Sequence, residues 1–120
     1  MTHQAQQRHV VGSAGAGQQV AQLRHALKLV ERIAGDDACY ADGEAALDEN
    51  ARFTSAYAEA SPIVQRRFDV LAAEASAWAA TGIEALLTAD KRGHTPHAAA
   101  RRLANELATT LGRLGRILGV

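Results

Sequence analysis

The segment from Pro62 to Ala89 constrains the fold of this chain more than any other. Its apolar and small residues recur every three or four positions and, at about 100° per residue, fall within roughly 80° of one another on a helix. Ser61 supplies a capping hydroxyl and Pro62 suits the first helical turn. The segment is therefore predicted to form a long helix with one buried face. That face comprises Val64, Phe68, Leu71, Ala75, Trp78, Gly82 and Leu86.

A similar start signal predicts the last helix. Thr95 and Pro96 follow a polar turn, and the helix is predicted to run from Pro96 to about Leu118. Leucines recur along it at the spacing of one helical face. They are Leu103, Leu107, Leu111, Leu114 and Leu118.

The first half of the chain is predicted to form two more helices. Apolar residues at the three-four spacing predict one from about Gly17 to Ala34. The other is predicted from Asp36 or Asp42 to Ala60, with fewer large apolar residues. Short connections between consecutive helices favour antiparallel neighbours. The sequence therefore predicts an all-α, antiparallel up-down-up-down four-helix bundle, and the alternative is helical hairpins that complete a bundle by dimerisation.

The chain has the length of a single domain, since 120 residues leave no room for a second one. Residues 1–16 are rich in Gln, Gly, Ser and Ala and show no sustained period, so we expect a flexible N-terminal arm. Residues 17–120 are expected to form one helical-bundle domain.

The composition limits the cellular compartments and the classes of binding partner that we expect for this chain. Thirteen basic and thirteen acidic residues cancel, so no global charge excess indicates nucleic acid or an anionic membrane. The single cysteine, Cys39, cannot form an internal disulfide, which favours a reducing compartment and predicts a cytoplasmic protein. We expect no apolar run to span a membrane or to act as a signal-peptide core.

Charge is segregated along the chain. Residues 35–60 carry seven acidic side chains and one basic one, whereas residues 91–120 carry six basic and one acidic. We expect the acidic second helix to lie beside the basic first and fourth helices. The alternative is that arginines of the last helix form a docking surface for an anionic partner. These arginines are Arg101, Arg102, Arg113 and Arg116.

Residues His25 to Lys28 read His-Ala-Leu-Lys. This resembles the His-x-Leu-Lys core of histidine-phosphotransfer domains, which are four-helix bundles whose exposed histidine accepts a phosphoryl group. His25 is expected to lie about 150° from the apolar face of its helix, exposed to solvent. The family usually has glycine after the lysine, where this chain has Leu29. An ordinary surface histidine is the main interpretation, and phosphotransfer is the alternative.

Arg92 and His97 have the Arg-x4-His spacing. This resembles the motif of HEPN ribonucleases, helical bundles in which that pair activates an RNA 2′-hydroxyl. In that family the motif usually lies in a helix, whereas Gly93 and Pro96 here predict a turn and a helix start. His94 and His97 could contribute to a metal site, but the sequence has no Glu-x-x-His pair of the kind found in di-iron bundles. We expect no metal and no cofactor.

The function that the sequence favours is a non-enzymatic helical interaction protein that binds a protein partner or itself. Apolar residues outside the main helical faces indicate extra contacts. Leu29 and Ile33 lie about 100° from the face of the first helix, and Ile63 and Val70 form a second stripe on the third. A homo-oligomer is therefore expected, with phosphotransfer through His25 and RNA binding or cleavage as the alternatives.

Overall fold

The structure is a computed structural model that describes the backbone of residues 2–35, 43–94 and 96–120, and the side chains of residues 15–35, 45–94 and 96–120. These residues form four helices and no strand. In chain order they are α1 (Thr2–Ile33), α2 (Gly43–Glu59), α3 (Pro62–Lys91) and α4 (His97–Leu118). The predicted all-α, antiparallel four-helix bundle is confirmed. Asp36, Cys39, Asp42 and Thr95 lie outside the described residues.

The start of α3 follows its sequence signal. Ser61 Oγ accepts a hydrogen bond from the backbone N–H of Val64 at 3.3 Å, and Pro62 occupies the first turn, where it needs no N–H partner. Left-handed glycines follow the ends of α3 and α4, at Gly93 and Gly119, with φ of 81° and 74°. The predicted bounds of these two helices therefore differ little from the observed ones.

The first helix is longer than predicted. It begins at Thr2 rather than near Gly17, because glycines that suggested a linker are tolerated within a helix. At Gly17 the lack of a side chain permits close packing, since a Cβ there would overlap the side chains of Asn50 and Thr54 on α2. Whether residues 1–16 act as a separate flexible arm stays a prediction.

Contacts across the bundle establish the antiparallel order. Arg24 of α1 donates to both carboxylate oxygens of Glu49 on α2, at 3.0 and 2.8 Å. This ion pair joins the acidic α2 to the basic α1, as the charge pattern predicts. A Cβ at Gly82 of α3 would lie 2.8 Å from the Leu103 side chain of α4. Helix α1 packs against the three others, whereas α2 and α3 meet mainly near their shared turn.

The core consists of leucine, valine and alanine around a few aromatic rings. Phe68, Leu107 and Leu114 are fully buried. The Phe68 ring packs edge-on against Tyr57, with centroids 5.6 Å apart, and lies 6.3 Å from Phe53. Phe68 therefore joins the end of α2 to α3.

The α2–α3 turn is held by side-chain hydrogen bonds. The Tyr57 hydroxyl donates to the Asp69 carboxylate, with oxygen separations of 3.0 and 2.9 Å, and Gln65 Nε2 donates to the Tyr57 carbonyl at 2.8 Å. Burial, followed by the hydrogen bond and the negative charge of Asp69, raises the pKa of Tyr57 to about 12. Leu47, by contrast, is 70% exposed and does not share the α2 core face with Tyr57.

Among the described helices, α3 is long and apolar enough to cross a membrane by length and composition alone. Core helices of soluble proteins meet the same criterion, and α3 contributes Phe68, Ala72, Ala75, Ala79 and Leu86 to the core. Only 22% of its most apolar stretch is buried within the chain, however. The expectation that the chain has no membrane span stays a prediction, and the exposed side of α3 requires an explanation.

Candidate interaction surface

Large apolar side chains remain exposed on one side of α3. The exposed fractions are 72% for Ile63, 48% for Val70 and 44% for Leu87. Ile63 and Val70 are the two residues that the sequence indicated as a second apolar stripe. Leu87 extends that stripe along the helix, so the surface is longer than the sequence analysis inferred.

The exposed residues of this side follow a heptad spacing. Starting at Ile63, positions separated by alternating steps of three and four residues are all exposed, whereas Phe68 and Ala75 face the core. We call this set the outer seam of α3. It comprises Ile63, Arg66, Val70, Ala73, Ala77, Ala80, Glu84 and Leu87. Sequence reasoning missed most of it, because exposed alanines in an alanine-rich helix resemble ordinary filling positions.

A groove runs beside the first half of the outer seam, between α3 and the end of α4. Its volume is about 500 Å³, and its lining combines apolar side chains with arginines. The lining residues are Ile63, Arg66, Arg67, Val70, Leu71, Glu74, Arg113 and Ile117. An adjoining hollow, shared with Arg67 and Arg113, adds Arg116. Four arginines thus surround an apolar floor on which Glu74 is the only acidic residue.

This arrangement is suited to non-covalent recognition. Apolar side chains release water when a partner covers them, and guanidinium groups favour carboxylates at the edge. Two of the arginines predicted as a docking surface, Arg113 and Arg116, lie at this groove. The other two, Arg101 and Arg102, lie at the start of α4, roughly 16 Å along the helix from Arg113. The four therefore do not form one patch.

The other two predicted interface residues lie on α1. Ile33 is partly buried and packs against the core, and Leu29 is also partly buried. Neither lines the groove. Their spare apolar surface is smaller than that of Ile63.

His25 is exposed, as its helical position predicted. It lines a small hollow between α1 and α2 with Arg24, Lys28, Glu49 and other residues. The Arg24 guanidinium is already bonded to Glu49, so it does not point freely at the imidazole. The site offers an accessible imidazole beside an ammonium group, and phosphotransfer stays a prediction.

Arg92 and His97 lie on opposite sides of a turn. Arg92 follows the last residue of α3, and its N–H bonds to carbonyls of that helix. His97 is the first residue of α4, and its imidazole approaches Gly35 at the end of α1. The structure therefore does not place the pair in one helix, and RNA cleavage stays a prediction. Within the described residues no group of three His, Cys, Asp or Glu side chains is placed to hold a metal.

The fold places this chain in the class of all-α four-helix bundles, with an exposed apolar seam on one helix. The chain matches no protein-family model, no curated protein and no solved structure.

Proposed function

We propose that this chain is a non-enzymatic helical interaction module that associates with a second copy of itself through the outer side of α3. The observation that supports this proposal is the exposure of Ile63, Val70 and Leu87 on one side of one helix. Isolated exposed apolar residues need no explanation, but a row of them is typical of an interaction surface.

The energetic argument rests on burial. Covering a large aliphatic side chain contributes about 1.5 to 3 kcal/mol relative to full exposure. Six such side chains, three from each copy, would meet in a symmetric pair, and each contributes in proportion to the 44% to 72% of its surface that is exposed. Part of that energy offsets the loss of translational and rotational freedom on association, so we expect a moderate affinity.

Light scattering coupled to size-exclusion chromatography tests the proposal directly. We expect a dimer at high protein concentration that persists when salt is raised, because apolar burial is not screened by ions. A monomer at every concentration would contradict self-association.

A matched pair of variants locates the contact. Val70→Ser removes an apolar group from the outer seam and is expected to weaken the dimer. Leu47→Ser serves as the control, because Leu47 on α2 is even more exposed, at 70%, yet lies off the seam. If both variants weaken association equally, general surface hydrophobicity rather than α3 would account for it.

Phosphotransfer is a second candidate, supported by the exposure of His25. A phosphoramidate on imidazole is labile in acid, so a phosphodonor would leave an acid-labile label that His25→Gln abolishes. His94→Gln is a suitable control, since His94 is equally exposed outside the motif. A protein that takes up no label, or loses none in His25→Gln, would exclude this activity.

A further inference from the structure

We propose that two copies pair through antiparallel α3 helices in one specific register, with Arg66 of each copy facing Glu84 of the other. This inference rests on the proposed self-association and adds the geometry of the contact. It follows from the spacing, exposure and charge of the outer seam.

The spacing of the seam is that of a two-stranded coiled coil. Successive members are alternately three and four residues apart over about 36 Å of helix. On a straight helix this spacing drifts by about 20° per heptad, so the seam faces a partner along its whole length when the two helices supercoil around each other. When two such helices run antiparallel, the first position of each heptad in one copy faces the fourth position of a heptad in the other. The seam contains four positions of each kind.

We use the word layer for a pair of seam residues that face each other across the two helices. In one register the two residues of every layer are compatible in size and charge. Ile63 then faces Leu87 of the second copy, and Val70 faces Ala80 of the second copy. At the centre Ala73 faces Ala77 of the second copy. Because the pair is symmetric, each layer occurs twice. Large aliphatic side chains close the two ends, and alanines at the centre allow the helices to approach closely.

The remaining layer carries the charge. In this register Arg66 faces Glu84 of the second copy, so each dimer contains two such pairs of opposite charge. Among the described side chains, the structure gives neither Arg66 nor Glu84 an ion-pair partner within the chain. Both are exposed and available to a second copy.

Other arrangements lose this match. Moving the register by one heptad in one direction places Arg66 opposite Lys91 of the second copy. Moving it by one heptad in the other direction places Arg66 opposite Ala77 of the second copy and leaves Glu84 beyond Pro62, where α3 of the second copy begins. A parallel pair would set Arg66 against Arg66 and Glu84 against Glu84. Like charges that face each other oppose association, so charge selects the antiparallel register.

The arginine groove is consistent with this geometry. The first half of the seam, with Ile63 and Arg66, lines the groove, whose arginines outnumber its one carboxylate. The half of α3 that would enter it from a second copy carries Glu84 and Leu87. Antiparallel helices also place opposite ends of their dipoles together.

Charge reversal tests the register. Arg66→Glu alone sets two glutamates against each other in both charged layers, and Glu84→Arg alone sets two arginines against each other. Each variant is expected to dimerise about tenfold or more weakly than the wild type. Mixing the two variants restores opposite charges in both layers, so the mixture is expected to form a mixed dimer. The double variant Arg66→Glu/Glu84→Arg is expected to dimerise as the wild type does.

The controls separate this inference from the proposal on which it rests. Arg102→Glu reverses an exposed arginine of α4 that lies off the seam, and it is expected to leave the dimer unchanged. Circular dichroism of each variant checks that the helices are retained. Single variants that dimerise as well as the wild type, or a mixture that stays monomeric, would overturn the register while leaving self-association intact. A wild-type chain that is monomeric throughout would overturn both.

Discussion

The two sides of α3 both carry large apolar side chains, but they differ in what covers them. The inner side packs against α1 and α4 and buries Phe68, Ala72 and Ala75 completely, with the Phe68 ring also against Tyr57 of α2. The outer side carries Ile63, with 72% of its surface exposed, and further apolar residues at a regular spacing. One helix therefore carries large apolar residues on two sides, and the described residues of the chain cover only the inner one.

This difference explains why the hydropathy of α3 approaches that of a membrane helix. A helix with a single buried face alternates apolar and polar residues, whereas α3 has few charged residues along its central stretch. The excess apolar surface belongs to the outer side, where a second copy is the partner that we propose. Under this proposal, the outer apolar residues serve association between copies rather than the fold of a single copy.

The largest expected effect lies on the inner side. Phe68→Ala removes a fully buried ring that also contacts Tyr57, and it is expected to lower the free energy of unfolding by about 3 to 5 kcal/mol. Ile63→Ala on the outer side is expected to change the stability of the monomer by less than about 0.5 kcal/mol. Urea denaturation at low protein concentration measures both. Comparable losses for the two variants would contradict the distinction between the sides.

The next effect arises at the border between the two sides, where the Tyr57 hydroxyl bonds to Asp69. The pKa of Tyr57 is raised from 10.0 to about 12 in the folded protein, so its contribution to stability is present below pH 10. As pH rises from 10 to 12, the unfolded chain ionises first and this contribution to stability is lost. Tyr57→Phe is expected to remove this loss. Denaturant unfolding across this pH range provides the measurement.

The helices and the core were largely predictable, because local signals determine them. Ser61 and Pro62 indicated the start of α3, and the three-four spacing identified Phe68 and Leu86 as buried. The start of α1 was missed, since residues 1–16 are rich in Gln, Gly, Ser and Ala and show no sustained apolar period. The close approach of α2 at Gly17 is a tertiary contact, which no local pattern reports.

The candidate site was only partly predictable for a related reason. Ile63 and Val70 were recognised because large apolar residues are conspicuous off the main face. Ala73 and Ala77 were not, because an alanine fits either a buried or an exposed helical position. Burial in the folded chain was needed to show that these alanines share the exposed side with Leu87. The grouping of Arg113 with Arg66 likewise required the packing of α4 on α3.

A small change in monomer stability is expected from enlarging an alanine on the outer side of α3. This substitution gives the closest comparison between the inner and outer sides. Ala77→Leu and Ala75→Leu make the same substitution two residues apart on the same helix. Ala75 is fully buried, so the added methylenes are expected to cost about 1 to 3 kcal/mol of stability. Ala77 is exposed, and leucine and alanine have similar helix propensities, so a change below about 0.5 kcal/mol is expected.

Dimerisation, unlike monomer stability, is expected to respond to the substitution on the outer side of α3. In the proposed pair Ala77 lies at the alanine centre, where a leucine would push the two helices apart, so Ala77→Leu is expected to weaken the dimer. Ala85→Leu is the control, because Ala85 is exposed on α3 but lies outside the seam. Light scattering measures association, and denaturation below the dimerisation concentration measures the monomer. If Ala77→Leu strengthens the dimer instead, the alanines are not in close contact across it and α3 pairs through another set of residues.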